Sequence, residues 1–293
     1  MPYQIVTDSS ATLPLDLIKE FNLTILPLSY MNVATGIQTP IDVFDENFDL
    51  VAFYNNMRND VVYTTSLPNL ADSREALLKH LEAGNDLLYI GFDSAISGTC
   101  ESTSALMDQL AEEYPDRKLI HIDTYAAAGG EGLLVYYACR MKQKGSSLEE
   151  VAAWVQDNIH KVDHWFTVED LKYLLRGGRV SKTSATVGTL LNIKPVLTVN
   201  PEGVLTPMEK VRGRKKSLQA LVDHFGETHA EIDDDFVCAI EHADCLEDAQ
   251  WVADKIADKY GVKNFMIELL DPVIGAHTGP GLVVVCYPCK PRA

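Results

Sequence analysis

Through roughly its first half the chain alternates short apolar runs with segments of helical spacing, without an internal repeat. Runs at 4–7, 24–30, 61–64, 87–92 and 119–123 read as strands, and helical patterns at 14–21, 47–57, 69–81, from Gly98 onward, 128–144 and 148–159 fall between them. Strands joined by helices of this length form a mostly parallel sheet with helices on both faces, because each parallel crossover has to pass over the sheet. Beyond this half the pattern changes. A strand at 165–168 and a short helix at 169–175 precede two strand runs, 195–200 and 204–211, that read as a hairpin around Pro201-Glu202-Gly203. A helix at 215–229, a strand at 236–241, a helix at 246–260 and strands at 264–270 and 282–287 complete an α+β half. The boundary falls near 160–163. The expectation is therefore an α/β protein of two domains, 1–161 and 162–293, with the last strand region able to pack back near the first domain.

At 293 residues, 46% hydrophobic and 23% charged, the chain can bury a substantial core and is not of disordered composition. It has no apolar run long enough to span a bilayer. The segment Met1 to Asp8 has no basic region, and the six cysteines are irregularly spaced, so a reduced cytoplasmic protein is expected. A formal charge of −17 argues against a nucleic-acid binder. Residues 172–216 run the other way, with ten Lys and Arg (among them Arg176, Arg179, Lys182, Arg212 and Lys216) against only Glu202 and Glu209. A basic patch on an acidic body suits an anion, an acidic partner or an anionic membrane surface, or is simply a solvated face.

No common catalytic or nucleotide-binding signature is present: no G-x-x-x-x-G-K-[ST], G-x-G-x-x-G after a strand, G-x-S-x-G or H-E-x-x-H. Gly129-Gly130-Glu131-Gly132 lies inside a helical pattern, so close packing explains it better than phosphate binding. Cys286-Tyr287-Pro288-Cys289 ends a strand without a following helix, which removes the dipole that a redox thiol needs. The sequence instead repeats a different chemistry. The strand 87–92 stops at Ser94, Ser97, Gly98 and Thr99 just before a helix, where unpaired first-turn N–H groups and hydroxyls make an anion site or an ordinary cap. Tyr63-Thr64-Thr65-Ser66-Leu67-Pro68 is a second hydroxyl-rich strand end, and Asp8-Ser9-Ser10 a third. His277-Thr278-Gly279-Pro280-Gly281 reads as a turn carrying a histidine, and Arg176-Gly177-Gly178-Arg179 as a flexible nest for an anion.

Together these motifs resemble, in order and along the whole chain, the DegV family, which includes the fatty-acid-binding partners of bacterial fatty acid kinase. The resemblance is carried by Val6-Thr7-Asp8-Ser9-Ser10, Thr65-Ser66-Leu67-Pro68, Ile96-Ser97-Gly98-Thr99, Ile122-Asp123-Thr124, the segment from Leu174 to Ser181, Asn192-Ile193-Lys194-Pro195, Lys210-Val211-Arg212-Gly213 and His277-Thr278-Gly279-Pro280-Gly281. It implies one long-chain fatty acid held between two domains, with no cofactor and no metal. Its carboxylate would meet Thr65 and Ser97, with Ser66, Gly98, Thr99 and His277 around the head group. Arg179 and Arg212 would serve the acyl phosphate or a partner. The implied partner is the catalytic subunit of a fatty acid kinase feeding phospholipid synthesis, with transient contact to an anionic membrane surface. Leu67 and Asn69 stand where the family often has Gln and Ser, and Cys100-Glu101 where Tyr-Gln is common, which touches acyl or partner preference more than binding.

Two other classes compete with such a carrier. One is an enzyme, either a hydrolase in which His277 activates Ser97 or Thr65, or a relative of dihydroxyacetone kinases. The other is a carrier of a different anionic amphiphile. Catalysis would require a base in reach of the nucleophile and a third group to orient it.

Overall fold

The computed structural model describes residues 2–45, 48–181 and 192–292. Asn47, where the expected second helix begins, and Lys182 of the basic window lie outside the described residues. The strands are β1 (Tyr3–Asp8), β2 (Thr24–Leu26), β3 (Ser29–Asn32), β4 (Gln38–Pro40), β5 (Tyr63–Ser66), β6 (Asp86–Gly91), β7 (Leu119–Asp123), β8 (Val162–Thr167), β9 (Ile193–Val199), β10 (Leu205–Arg212), β11 (Val237–His242), β12 (Asn264–Leu269) and β13 (Val283–Pro288). The helices are α1 (Leu15–Phe21), α2 (Leu50–Arg58), α3 (Leu70–Glu82), α4 (Thr99–Glu113), α5 (Gly129–Gln143), α6 (Leu148–Asn158), α7 (Lys172–Arg176), α8 (Arg214–Thr228), α9 (Leu246–Tyr260) and α10 (Pro272–Thr278).

Three sheets form. The first is wholly parallel, in the order β2-β1-β6-β7. Alternation along its central strands sorts the side chains by face: Val6, Leu87 and Tyr89 pack with α3 and α4, while Ile5, Leu88 and Ile90 pack with α5 and α6. The chain is thus an α/β protein whose parallel sheet is covered on both faces. A six-stranded sheet, β10-β9-β8-β13-β11-β12, occupies the C-terminal half and is antiparallel except for the β11–β12 pair. The expected hairpin is present as β9 and β10.

The third sheet, β4-β3-β5, was not anticipated. The expected single strand 24–30 breaks at Pro27 into β2 and β3, because proline has no N–H to give the ladder. β3 then leaves the parallel sheet and pairs antiparallel with β4 and β5, with Tyr30 opposite Thr65.

The parallel sheet and the six-stranded sheet meet at α5. The first turn of this helix carries Gly129, Gly130 and Gly132, and a methyl at these positions would overlap Glu241, the His164 ring and the Ala11 carbonyl respectively. Close packing is therefore the role of the glycines, as their helical context suggests. The helix has no capping side chain of its own. The opposing sheet supplies one: His164 Nε2 accepts the Ala127 N–H at 3.4 Å, and Glu241 accepts that of Gly129. On the other side Glu131 of α5 accepts from Thr7 (2.9 Å) and meets the Ser10 hydroxyl (2.7 Å) at the end of β1. The same Ser10 hydroxyl lies 2.5 Å from Asp8, which also accepts from Tyr89 and the Phe92 N–H. One hydroxyl has one proton for two carboxyls, so one carboxyl is itself protonated. Asp8 has the richer set of donors, and burial holds Glu131 far above the ordinary carboxyl range, so Glu131 carries the proton. Ser9 and Ser10 are buried, and Asp8 caps the turn they begin by accepting the Ser10 N–H at 3.2 Å, so this strand end is a cap.

Burial also pushes Glu241 up to about 8. The folded state then retains a proton that an unfolded Glu, with its ordinary value of 4.5, has lost. The contribution of Glu241 to stability is complete below the unfolded value and disappears as pH rises toward 8. Glu241→Gln keeps an acceptor for Gly129 without the ionisation. Its melting temperature, measured against the unmodified chain, should gain progressively between pH 5 and pH 8.5; parallel pH profiles for the two chains would contradict this assignment.

Candidate functional site

The strand ends and turns highlighted by the sequence converge on one cavity of about 180 Å³. Thr65 and Ser66 reach it from β5, Ser97 and Gly98 from the turn before α4, Arg179 from the turn after α7, and His277 and Thr278 from the end of α10. The remaining wall is mainly apolar, with Leu28, Phe92, Phe166, Leu174, Val199 and Val284 among its residues. Polar groups gathered at the edge of an apolar cavity are the ordinary form of a small-molecule site.

His277 does not sit in a turn, as the sequence suggested. It lies in the last turn of α10, a helix fixed by Pro272 at its first position and by Asp271, whose carboxylate accepts the Val273 N–H at 2.6 Å. The run Asp271-Pro272 was the available sequence signal for this helix. Gly279, at φ +82°, ends the helix where any Cβ would strike the Tyr173 ring of α7. His277 Nε2 is 2.8 Å from Thr65 Oγ1, joining α10 to β5. Its Nδ1 faces Gly177, where a methyl would overlap the ring. Burial, reinforced by Arg179 and Arg176, pushes His277 down to about 4, so the ring is neutral at physiological pH.

The Ser97 turn is held from below. Asp93 accepts the Ala95 N–H at 2.9 Å, and its carbonyl accepts the Ser97 N–H at 3.1 Å. Helix α4 begins with Gly98 at the capping position, and Ser97 Oγ accepts the first-turn N–H of Thr99 at 3.3 Å. The Thr99 hydroxyl, fully buried, lies 2.9 Å from Ser97 Oγ and outside the cavity wall, so it orients Ser97. Arg179 bridges the two halves: its Nε donates to the Ile96 carbonyl at 3.0 Å and its Nη1 to Gly177 at 2.6 Å. Gly178, at φ +73°, allows the tight reversal that returns Arg179 to the cavity. Arg212 is exposed on β10, at the edge of its sheet and away from the cavity wall.

Two buried wall residues went unread in the sequence, Phe166 and His164 of β8. The strand register explains their placement, since the alternate residues Asp163 and Trp165 turn to the opposite face, where Asp163 bonds Thr228 of α8. Cys286 and Cys289 are both buried and their thiols are pushed up, that of Cys289 to about 12, which leaves little thiolate at neutral pH. No helix among the described residues is long and apolar enough to cross a membrane.

Comparison with known proteins adds to this geometry. The family model for the DegV family of uncharacterised proteins matches residues 2–289. A DegV domain-containing protein of Clostridium perfringens is 40% identical over 287 residues, covering 97% of each chain. Among solved structures, a fatty-acid-binding DegV family protein from Thermus thermophilus superposes with a TM-score of 0.87 at 28% identity, covering 99% of this chain and 100% of that one. A DegV lipid-binding protein from Thermotoga maritima gives 0.86 at 27% identity, with full coverage of both chains.

The electrostatics of His277 can be measured directly. Histidine NMR shifts followed against pH should show the His277 ring neutral down to about pH 4, and Arg179→Ala should move that midpoint upward by removing the positive charge that weighs more on it. A midpoint near 6.5 in the unmodified protein would contradict the buried, neutral ring.

Proposed function

This chain belongs to the DegV family, and on that premise we propose that it is a carrier of one long-chain fatty acid, bound between residues 1–161 and 162–293 taken as two domains. The observation that supports this most is the pairing of an apolar cavity with a polar edge made of hydroxyls: Thr65, Ser66, Ser97 and Thr278. A fatty acid is a carboxylate at neutral pH, and its tail supplies the affinity. Burying each methylene is worth about 0.8 kcal/mol, so about 15 of them offer up to about 12 kcal/mol before the costs of association. The head group then needs orientation more than strength, and neutral hydroxyls orient it without burying an ion pair.

The same edge leaves a carboxylate oxygen open to an incoming phosphoryl group. We extend the proposal to a partner, the catalytic subunit of a fatty acid kinase, with this chain presenting the carboxylate and carrying the acyl phosphate toward phospholipid synthesis. On this reading Arg179, whose Nε bonds the Ile96 carbonyl beside Ser97, meets the phosphate, and the exposed Arg212 meets the partner or an anionic membrane surface. The cytoplasm is where such a donor, ATP, is found, so we place the carrier there.

The Thr65–His277 contact also has the geometry of a nucleophile–base pair, which is the specific observation behind a hydrolase reading. Two features weigh against it. The far ring nitrogen faces Gly177 rather than a carboxylate, and a ring pushed down to about 4 is a weak base at neutral pH.

Native mass spectrometry of the purified protein, followed by lipid extraction, tests the carrier: the expected result is a stoichiometric mass shift matching a long-chain fatty acid, lost or weakened in Ser97→Ala and Thr65→Val. Adding ATP and a fatty acid kinase catalytic subunit should convert the bound acid to its acyl phosphate. A lipid-free protein that cleaves acyl esters would replace this reading with the hydrolase.

A further inference from the structure

Asp93 lies outside the cavity wall, yet both its carbonyl and its carboxyl carry the turn that presents Ser97. It is fully buried, and segments from both halves of the chain close on it. From the first half, the Ala126 carbonyl accepts its N–H at 3.1 Å. From the second, Gly203 in the turn between β9 and β10 packs directly on the carboxyl: a methyl on Gly203 would stand 2.2 Å from Oδ1 and 2.7 Å from Oδ2. Oδ1 accepts the Ala95 N–H, whereas Oδ2 is buried and has no hydrogen-bond partner among the described residues. A carboxylate with one oxygen bare in the interior is costly, and a neutral carboxyl fits this place better.

The charged groups around Asp93 come from each segment that touches it. Asp123 at the end of β7 accepts the N–H groups of Ser94 and Tyr125. Arg179 reaches the same loop at the Ile96 carbonyl, and the exposed Glu202 precedes Gly203. Arg292 grips the two segments that enclose Asp93. Its Nη2 donates to the Tyr125 carbonyl, next to Ala126, and its Nη1 to the Asn200 carbonyl, which also accepts the Gly203 N–H. The Nε of Arg292 is buried and, like Asp93 Oδ2, has no partner among the described residues. One carboxyl oxygen and one guanidinium N–H are thus left unmatched on the same pair of segments. Burial, reinforced by Asp123, pushes Asp93 up to about 7, so both of its protonation states are accessible near neutral pH.

Resting on the fatty-acid reading of the cavity, we propose that Asp93 is a positioning residue operated by its proton. Protonated, it holds the Ser97 turn against Gly203 in the arrangement that grips the head group. Ionised, it leaves Gly203 for the Nε–H of Arg292, and the Ser97 turn follows through the Ala95 N–H, which loosens that grip. The proton passes to solvent and no covalent bond changes. Binding is therefore tighter below the Asp93 midpoint and weaker above it, and by linkage the ligand strengthens the hold of Asp93 on its proton by the same factor.

Displacement binding of octadecanoate to the full chain, measured at pH 6 and pH 8.5, tests this. Affinity should be about fivefold or more higher at pH 6, the low end of an ordinary coupling between two sites. The fatty acid is ionised at both values, and His277, at about 4, titrates outside the range. Asp93→Asn keeps an acceptor for Ala95 and carries a permanent donor in place of the acid proton, so its affinity should be the same at the two pH values. Glu241, Glu268 and Asp271 also change charge in this range, and all three are intact in the variant. Carbon-13 NMR of the Asp93 carboxyl in the unmodified protein needs no variant: its midpoint should be higher with octadecanoate bound than without. Equal affinity of the unmodified chain at both pH values, a pH dependence that persists in Asp93→Asn, or one Asp93 midpoint with and without ligand overturns the inference and leaves the carrier standing. A chain that binds octadecanoate at neither pH overturns the carrier as well.

Discussion

Helix α5 lies between two sheets, and its first turn has to satisfy both. Three glycines bring its backbone close enough that Glu241 and His164 of the six-stranded sheet, rather than any side chain of its own, receive its leading N–H groups. Register makes this possible: His164 pairs with Cys286 and Cys286 with Ala239, two residues before Glu241, so the acceptors lie on β8 and β11, either side of β13, on the face toward one helix end. From its other side the helix sends Glu131 into the end of β1. A helix start without these partners would leave buried donors unpaired, so the parallel half is complete only once the C-terminal sheet is in place. Coupling between the halves is thus built into the hydrogen bonding of a single turn.

The cavity is a consequence of that joint. Ala127 and Ala128, immediately before α5, form part of its wall, and Ala128 takes φ +50° to make the entry. A side chain larger than alanine there would fill part of the cavity. The loop 93–98 is tied to the same region, because the Asp93 N–H bonds the Ala126 carbonyl and the Phe92 N–H bonds Asp8. Residues that never touch the cavity therefore set where Ser97 stands. Polar groups around this joint are kept neutral by burial, Glu131 by retaining a proton and the two histidines by refusing one.

Much of this was legible because it is local. Alternating apolar runs fix the parallel sheet and its two covered faces, and clusters of Ser, Thr and Gly at strand ends mark Thr65, Ser66, Ser97 and Gly98, which the fold brings to one cavity with Arg179 and His277. What stayed hidden depends on partners distant in sequence. Strand β4, only three residues long and mostly exposed, has no periodicity to read and exists through its pairing with β3. Helix α10 is seven residues, among them Pro, Gly and three β-branched types, below the length at which a pattern speaks, and is held by packing and by its Asp271 cap. The buried His164 looked like any strand residue, since nothing near it in sequence announces that a helix start will be pressed against its ring.

The hydroxyl edge shows how neutral groups become anion donors. Ser97 Oγ already receives the Thr99 N–H, and the Thr99 hydroxyl, buried behind it, can donate to it as well. When it does, the proton of Ser97 is free to point into the cavity. Thr65 has the same choice: it donates to His277 if Nε2 is bare, and receives from His277 if Nε2 carries the proton. An anion bound at the edge, as proposed above, would be stabilised only by the second arrangement in each pair, so its binding would select both together, without a full positive charge. The buried Thr99 and the neutral His277 are the groups that make this selection available, and each does so through the hydroxyl in front of it.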